Sequence, residues 1–352
     1  MMKLNQKQRD IINIILKNGK MPSSAVCAEM SRLGSEVSLV TVKRALSLLK
    51  KEGLLDVSGF GPSTQYEASV IGRLFAPIDA RKYCAIEPDR RFGLDRYNFA
   101  LLASMPSTLF DKNELATLNT ATVTFKERSK DASDVIQKKE LERLIVELAW
   151  KSSKIEGNTY TLLDTEKLIL ERKEAPGHDK KETQMILNHK DAFIFIRENL
   201  SFFRELTRTN LEKLHSILVK DLSVHFGLRA SPVGVLGSKY QPLDNSYQIA
   251  EAVEALCRAV AGMETPYDKA LSALLGISYI QPFEDGNKRV SRLMTNALLL
   301  AHGCAPLSYR SVDENEYREA ILAFYEINSL LPFKKIFIAQ YEFASAHYAL
   351  QG

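Results

Sequence analysis

The chain has 352 residues and a formal net charge of +4, with 45% hydrophobic and 26% charged residues, so it is long enough for two ordinary globular domains. No opening apolar segment resembles a signal peptide and no run is long enough to cross a bilayer, which predicts a cytoplasmic protein without a membrane partner. The four cysteines are widely separated and show no Cys-x-x-Cys spacing, so the sequence suggests neither a zinc site nor a disulfide framework.

The N-terminal fifth carries the whole excess of positive charge. Of the chain's 47 Lys and Arg and 43 Asp and Glu, residues 1–70 hold 10 and 6, which leaves equal numbers of each sign in the remainder. Helical periodicity predicts three short helices in this segment, over residues 4–18, 25–30 and 38–51. Ser38 can cap the third helix and Gly53 can end it. Two short β-forming runs around the turn 58–63 then predict a hairpin.

Three small helices followed by a hairpin resemble a winged helix-turn-helix domain, and we assign it residues 1–70. The resemblance implies that residues 38–51 form a recognition helix that binds duplex DNA. Its exposed face would then present four basic side chains to the phosphates: Lys43, Arg44, Lys50 and Lys51. The alternative is a winged-helix fold used for dimerisation, which would give a homodimer, or for contact with a second domain.

Residues 71–120 are less regular and contain three prolines, yet they keep many aromatic residues. This composition is unlike that of a flexible tether, so it predicts a connecting arm that packs on the following domain. The remaining residues, 121–352, are assigned to one helical domain.

A buried helical stripe begins near Lys138, and its spacing brings Glu156 onto the same face, just before Gly157. A carboxylate at a helix C-terminus faces the unfavourable end of the helix dipole, so it needs a cationic partner. The alternative is a solvated glutamate before a glycine cap. Further helices are predicted over residues 161–172, 181–200 and 209–222, and we expect the histidines near them to be ordinary structural or surface residues: His178, His189, His215 and His225.

The segment 229–242 is richer in β-forming residues than its surroundings. Residues 233–236 and 239–242 predict two strands joined by a turn at Gly237-Ser238. By itself this pattern is also compatible with an ordinary surface hairpin.

The stretch from Gln281 to Arg292 has the features of a phosphate site. The apolar helix before it stops at Pro282, and helical periodicity resumes after Gly286-Asn287. The free N–H groups of Gly286, Asn287 and Lys288 at the start of the second helix favour an anion. Two arginines three residues apart, Arg289 and Arg292, can reach successive phosphates, and the carboxylate of Asp285 suits Mg²⁺.

This stretch resembles the core motif of Fic (filamentation induced by cAMP) proteins, which reads His-x-Phe-x-Asp/Glu-Gly-Asn-Gly/Lys-Arg-x-x-Arg. The defining positions match except the first, which is Gln281 instead of histidine. The resemblance implies an all-α Fic-type domain with a small β-hairpin flap, and an enzyme that moves AMP from ATP to a hydroxyl of a target protein. It implies that Asp285 holds Mg²⁺, that Asn287 and the loop amides hold the α-phosphate region, and that Arg289 and Arg292 hold the outer phosphates.

Further segments also resemble Fic proteins. Ser152 to Gly157 matches the inhibitory motif, which implies an inhibitory helix over about residues 138–157 in which Glu156 pairs with Arg292. The 229–242 segment resembles the flap that holds the target, with candidate target-binding residues Val235, Leu236, Gly237, Ser238, Lys239 and Tyr240. Tyr317 falls where the family packs on adenine, although a core aromatic is an equal alternative.

Two functions follow. The first is an ATP·Mg²⁺-dependent protein adenylyltransferase that is restrained by Glu156 and impaired because a glutamine amide has no usable proton affinity near neutral pH. The second is a DNA-binding regulator whose Fic-type domain senses the nucleotide without catalysis. The remaining alternative for the core motif is a charged helix-turn-helix corner with solvated arginines.

Overall fold

The computed structural model describes residues 4–350, so the first three and last two residues of the assigned domains lie outside the described part. Its contacts divide the chain into two compact units. The first contains Met1–Pro106, Gly234–Gln241 and Glu319–Lys334, and the second contains Ser107–Val233, Pro242–Arg318 and Lys335–Gly352. The domain boundaries assigned from the sequence stay a prediction.

The first unit begins with the three helices and the hairpin predicted from the sequence. The helices are α1 (Gln6–Asn18), α2 (Ser23–Arg32) and α3 (Leu39–Lys51), and the hairpin pairs β1 (Leu55–Ser58) with β2 (Gln65–Ala68). Ser38 caps α3 by accepting the N–H of Thr41. The strands are antiparallel and in register from Leu55 opposite Ala68 to Ser58 opposite Gln65.

The apolar stripes of these helices form one hydrophobic cluster. Ile12, Val26 and Leu46 are fully buried in it. Tyr83 and Ile327 complete the same cluster from later parts of the first unit. Three short helices lie among those later parts: α4 (Val70–Leu74), α5 (Ala80–Cys84) and α6 (Ala100–Ala103).

The second unit is built mainly from long helices, together with a helix of five residues. They are α7 (Lys112–Asp131), α8 (Asp134–Ile155), α9 (Leu162–Glu166), α10 (Lys180–Glu198), α11 (Arg208–Leu218), α12 (Ser246–Ala261), α13 (Pro266–Ile280) and α14 (Asn287–Ala301). Two more helices, α15 (Glu314–Ile327) and α16 (Leu331–His347), each contribute residues to both units. Nearly every residue of α13 and α14 is buried, so this pair is the core that positions the loop between them.

The mostly helical architecture with one small hairpin is confirmed, but the position of the hairpin corrects one detail. Within residues 4–350 the sheet consists of β1 and β2 alone, and the segment predicted as flap strands has no strand ladder. It contains a turn in which the Ser238 N–H donates to the Val235 carbonyl, with Gly237 at φ 75°. Gln241 instead forms an isolated bridge with Arg96. Among residues 4–350, the β-forming residues of the 233–242 segment have no neighbouring strand to pair with, so they form no sheet.

Two predicted helices are shorter than expected. The 161–172 helix gives way after α9 to a π-helical turn, Lys167–Glu171, followed by Arg172 at φ 56°. The 209–222 helix ends at Leu218. No helix in the described part of the chain is long and apolar enough to cross a membrane.

Candidate functional site

The loop between α13 and α14 is closed by the side chain of Asn287. Its Nδ2 donates to the Phe283 carbonyl and its Oδ1 accepts the Phe283 N–H, both at 2.8 Å. The Asn287 side chain is therefore occupied inside the loop, and what it can offer a ligand is its backbone N–H. The prediction that Asn287 and the loop amides hold the α-phosphate region therefore depends, for Asn287, on its backbone N–H.

Helix α14 begins with a glycine that has a left-handed conformation. Gly286 is the N-cap residue at φ 82° and ψ 1°, a conformation that L side chains rarely adopt. Its own N–H donates to Asp285 Oδ1 at 2.6 Å, so it is not among the free donors. In the described part of the chain, no side chain caps the first turn of α14, which starts at Asn287. The N-terminus of α14 therefore keeps the donors and dipole of an anion site.

Arg289 is the clearest sign that a ligand belongs here. Only 2% of its surface is exposed, and its Nη2 donates to Asp285 Oδ2 at 2.9 Å. Its Nη1 is buried and has no hydrogen-bond partner among residues 4–350. Burial lowers the pKa of Arg289, and the Asp285 and Glu156 carboxylates offset this only in part. Burying a cation with an unsatisfied N–H donor costs free energy of folding, and an anionic ligand would supply the missing acceptor.

Asp285 lies at the mouth of the loop with 60% of its side chain exposed. A Mg²⁺ ion that also binds phosphate oxygens needs only one or two protein carboxylates, so Asp285 fits such an ion. Within residues 4–350 no group of three His, Cys, Asp or Glu side chains could hold a metal by itself. Asp285 could thus contribute one carboxylate ligand to such an ion.

The donors of Arg292 are occupied by α8 and by Tyr317. Its Nε donates to Ser152 Oγ, and its Nη2 donates to the Ser152 carbonyl and to Glu156 Oε1, all at 2.8 Å. Its Nη1 lies 3.3 Å from the Tyr317 hydroxyl. Arg292 is fully buried, so this guanidinium is locked in place.

Glu156 is the C-cap residue of α8, and Arg292 is the cationic partner that a carboxylate at a helix C-terminus requires. Besides Arg292, it accepts from Lys288 Nζ at 3.4 Å. Burial raises the pKa of Glu156, but the charges of Arg292 and Lys288 outweigh it, so its pKa lies below the ordinary value. The carboxylate therefore holds two of the cations that a phosphate would use.

Tyr317 does not offer a free ring face. It is 1% exposed, and its ring lies edge-on to Tyr309 with centroids 6.1 Å apart. The structure thus favours the core-aromatic alternative for Tyr317, in which its hydroxyl contacts Arg292.

Gln281 ends α13 in a left-handed conformation, with φ 51° and ψ 58°. Its Nε2 donates to the Ser278 carbonyl at 2.7 Å. Its own carbonyl accepts from Nε of Arg229 at 2.7 Å, and Arg229 is 3% exposed. Arg229 is a site residue that sequence reasoning missed, because no local pattern around it indicates this long-range contact.

His215 is the second residue that sequence reasoning missed. It is fully buried, and its ring stacks on Phe283 with centroids 3.8 Å apart. Its Nε2 donates to the Asp285 carbonyl at 3.0 Å and its Nδ1 accepts the Gly227 N–H at 3.3 Å, which fixes the neutral tautomer. Burial lowers its pKa to about 4, although the hydrogen bond to Asp285 acts in the opposite direction. The expectation that it is an ordinary structural or surface residue did not include its contact with the loop between α13 and α14. Its place in the buried stripe of α11 was the available signal.

A third histidine, His189, is buried on α10, and both its ring nitrogens lack a partner in the described part of the chain. Burial together with Arg292 and Arg289 lowers its pKa to about 3, so it stays neutral. Because His189 and His215 are neutral, the positive charges of the site come from Lys288, Arg289 and Arg292.

The remaining predicted residues lie in the first unit. The four basic side chains of α3 are exposed: Lys43, Arg44, Lys50 and Lys51. Of the flap residues, Leu236 is 99% exposed and Tyr240 is buried at 2%.

Comparisons with known proteins agree with the fold. The sequence model of the Fic/DOC family matches residues 205–299, which include the loop and the two arginines. A protein adenylyltransferase Fic from Nematostella vectensis is 24% identical over 202 residues, covering 53% of this chain and 45% of that protein. Its counterpart from Drosophila willistoni is 28% identical over 166 residues, covering 46% of this chain and 33% of that protein. The chain thus spans less than half the length of these relatives.

Two solved structures are similar over most of the chain. A Fic family protein from Desulfovibrio desulfuricans G20 has a TM-score of 0.57 and 18% identity, covering 68% of this chain and 75% of that one. A Fic domain containing signaling protein from Bacteroides thetaiotaomicron has a TM-score of 0.56 and 20% identity, covering 65% and 94%. At these identities the likeness establishes the fold alone.

Proposed function

We propose that this chain, which carries a Fic domain, binds ATP with Mg²⁺ at the N-terminus of α14 and is built to transfer AMP to a hydroxyl of a target protein. The observation that carries the proposal is the buried Arg289 whose Nη1 has no partner among residues 4–350. It lies in the first turn of α14, and no side chain caps that turn in the described part of the chain. Free helix N–H groups and an idle guanidinium donor are what a phosphate chain would satisfy.

The transfer would form a bond between the target oxygen and the α-phosphorus and break the bond from that phosphorus to the bridging oxygen. Pyrophosphate leaves, and the proton of the target hydroxyl must go to a base. Asp285 would hold Mg²⁺, which neutralises charge on the phosphates. Arg289 would hold an outer phosphate, and its ion pair with Asp285 keeps it next to the metal position.

Two features restrain this chemistry. Glu156 occupies Arg292 Nη2 and approaches Lys288, so a γ-phosphate must compete with a carboxylate for the same cations. Gln281 stands at the base position with its amide donating to a backbone carbonyl, and it cannot take a proton. Loss of a positioned base typically lowers a rate by about 10²- to 10⁴-fold.

Calorimetric titration with ATP and Mg²⁺ tests the binding. Arg289→Met should weaken binding at least about tenfold, since it removes a charge-assisted hydrogen bond. Arg204→Met is the matched control, because Arg204 is exposed in the same unit. Equal affinity in both variants would contradict the proposed site.

Labelling tests the chemistry. Gln281→His restores a base and Glu156→Gly frees Arg292, so the double variant should transfer labelled AMP from ATP to itself or to a protein in a lysate. The single variant Glu156→Gly is the control, and it should transfer at least about 10²-fold less AMP than the double variant. A double variant that binds ATP and labels nothing would favour the second candidate function.

The second candidate is a nucleotide-sensing regulator that binds duplex DNA. The observation that favours it is the set of four exposed basic side chains on α3, in the fifth of the chain that carries the net positive charge. A helix with its basic face in solvent after a preceding short helix suits contacts to phosphates in the major groove. If the same surface served dimerisation instead, the chain would form a homodimer and bind no DNA at low salt.

A further inference from the structure

The turn at 235–238 is held by buried charges, which is unusual for a surface loop. The Arg91 guanidinium donates from Nη2 to the Gly237 carbonyl at 2.8 Å and from Nη1 to Glu326 Oε1 at 2.9 Å. The side chains of Arg91 and Glu326 are 3% and 0% exposed. These three groups belong to the first unit.

The Glu326 carboxylate is satisfied by three donors. Besides Arg91, its Oε1 accepts from the Ser238 hydroxyl at 2.6 Å, and its Oε2 accepts from the Tyr83 hydroxyl at 2.7 Å. The Ser238 hydroxyl in turn accepts the Tyr240 N–H at 3.1 Å. A buried ion pair is tolerated when the remaining lone pairs are satisfied in this way. Both the carbonyl and the side chain of the turn are therefore bonded to the same pair of charges.

Two neighbouring contacts extend the same support. Lys239 Nζ donates to the Arg91 carbonyl at 2.8 Å. The Glu326 backbone carbonyl accepts the Leu94 N–H at 2.6 Å, and a Cβ at Gly93 would lie 2.3 Å from that carbonyl. Gly93 is thus required for the close approach of the Arg91 segment to Glu326.

The held turn presents an apolar side chain to solvent. Leu236, at its tip, is 99% exposed, whereas Tyr240 at its base is buried against Tyr325 with ring centroids 5.5 Å apart. A surface turn that served only as a connection would not need two buried charges to fix its backbone. Fixing a backbone in advance lowers the entropy cost of binding a partner.

We propose that Arg91 and Glu326 are positioning residues that hold the 235–238 turn in the one conformation in which it receives the target segment. The inference rests on the proposed function, in which this segment is the target-binding flap. Arg91 and Glu326 act through the turn, so they set how the target is held and leave nucleotide binding unaffected.

Amide hydrogen exchange of the ligand-free chain tests the anchor. The N–H groups of Ser238 and Gln241 donate to Val235 and Asp95 carbonyls, not to the anchoring side chains, so their exchange reports opening of the turn. Glu326→Gln keeps the shape but removes the opposing charge, and it should speed exchange at both amides about tenfold or more. Arg91→Lys keeps the charge but loses the two-pronged contact, and it should give a smaller increase in the same direction.

The Met21 and Tyr66 amides are the internal control, because they pair with each other in the same unit. Unchanged exchange rates at Ser238 and Gln241 would overturn the proposal. An equal rise in exchange at Met21 and Tyr66 would also overturn it, because the substitution would then loosen the whole unit and not the turn in particular. In the Gln281→His and Glu156→Gly background, Glu326→Gln should lower AMP labelling about tenfold with ATP affinity unchanged. Unchanged labelling there would also overturn it. If that background labels nothing, the proposed function fails, and the exchange result still decides whether the anchor holds the turn.

Discussion

Removing the Glu156 carboxylate gives the sharpest test of the ion pair with Arg292. Glu156→Gln keeps the size of the side chain, and Glu156→Gly removes it. Either change removes the negative charge that lies 2.8 Å from Arg292 Nη2 and 3.4 Å from Lys288 Nζ, and Glu156→Gln leaves a neutral acceptor in its place. The two cations are then available to phosphate oxygens.

The structure sets the size of two opposite effects. Removing one partner of a buried pair leaves an uncompensated charge, but Glu156 keeps 19% of its side chain exposed, so we expect a loss of about 1–3 kcal/mol in the free energy of unfolding without nucleotide. A hydrogen bond to a charged group contributes about 1.5–3 kcal/mol, so ATP·Mg²⁺ should bind about 10- to 100-fold more tightly. Glu156→Gln should fall between the wild-type chain and Glu156→Gly, because an amide oxygen still accepts a hydrogen bond.

Calorimetric titration measures the affinity, and thermal unfolding with and without ATP·Mg²⁺ measures the stability. Glu198→Gln is the matched control, since Glu198 is exposed at the end of another long helix of the same unit. Unchanged ATP affinity in both Glu156 variants would refute competition between Glu156 and the nucleotide. If the variants lose stability and bind ATP with unchanged affinity, the ion pair between Glu156 and Arg292 is only a structural contact.

Two further predictions concern DNA and pH. Binding of duplex DNA should weaken steeply as the salt concentration rises. Arg44→Ala or Lys51→Ala should each reduce the slope of log affinity against log salt by about one, whereas Lys7→Ala on α1 should not. Gel shifts at several salt concentrations measure this slope, and no binding at low salt would contradict the prediction. Burial lowers the pKa of His215 to about 4 in the folded chain, against an ordinary value of about 6.5, so the unfolded state binds more protons between these values and the contribution of His215 to stability is lost as pH falls through that window. His215→Gln should therefore reduce the slope of unfolding free energy against pH by about 1.4 kcal/mol per unit between pH 4 and 6.5, measured by denaturant titration, and an unchanged slope would contradict this.

Local sequence decided the elements that local forces can specify. The apolar stripe of α3 and the Ser38 cap gave that helix its bounds to within a residue or two. The break at Pro282 and the restart after Gly286 likewise gave the loop between α13 and α14. The expected partnership of Glu156 with a cation followed from its place at a helix C-terminus, because the dipole there opposes a lone carboxylate.

Contacts between residues that are distant in the sequence could not be predicted from local pattern. The 233–242 segment has β-forming residues, yet its turn is fixed by Arg91 and Glu326 instead of by a second strand. The position of Tyr317 in the sequence leaves stacking on adenine and a place in the core equally open, and only the packing shows that its ring is buried and that its hydroxyl contacts Arg292.

The sequence by itself therefore determined which residue types stand around α14 and in which order, since helix periodicity, glycine conformation and proline are local properties. Only the tertiary structure decided which of them are free. Among residues 4–350 Arg289 Nη1 has no hydrogen-bond partner, whereas Arg292 donates to Ser152 on α8. The same packing places His215 Nε2 within hydrogen-bond distance of the Asp285 carbonyl. Whether a buried donor is satisfied depends on atoms brought together by helix packing, and no spacing along the chain encodes that.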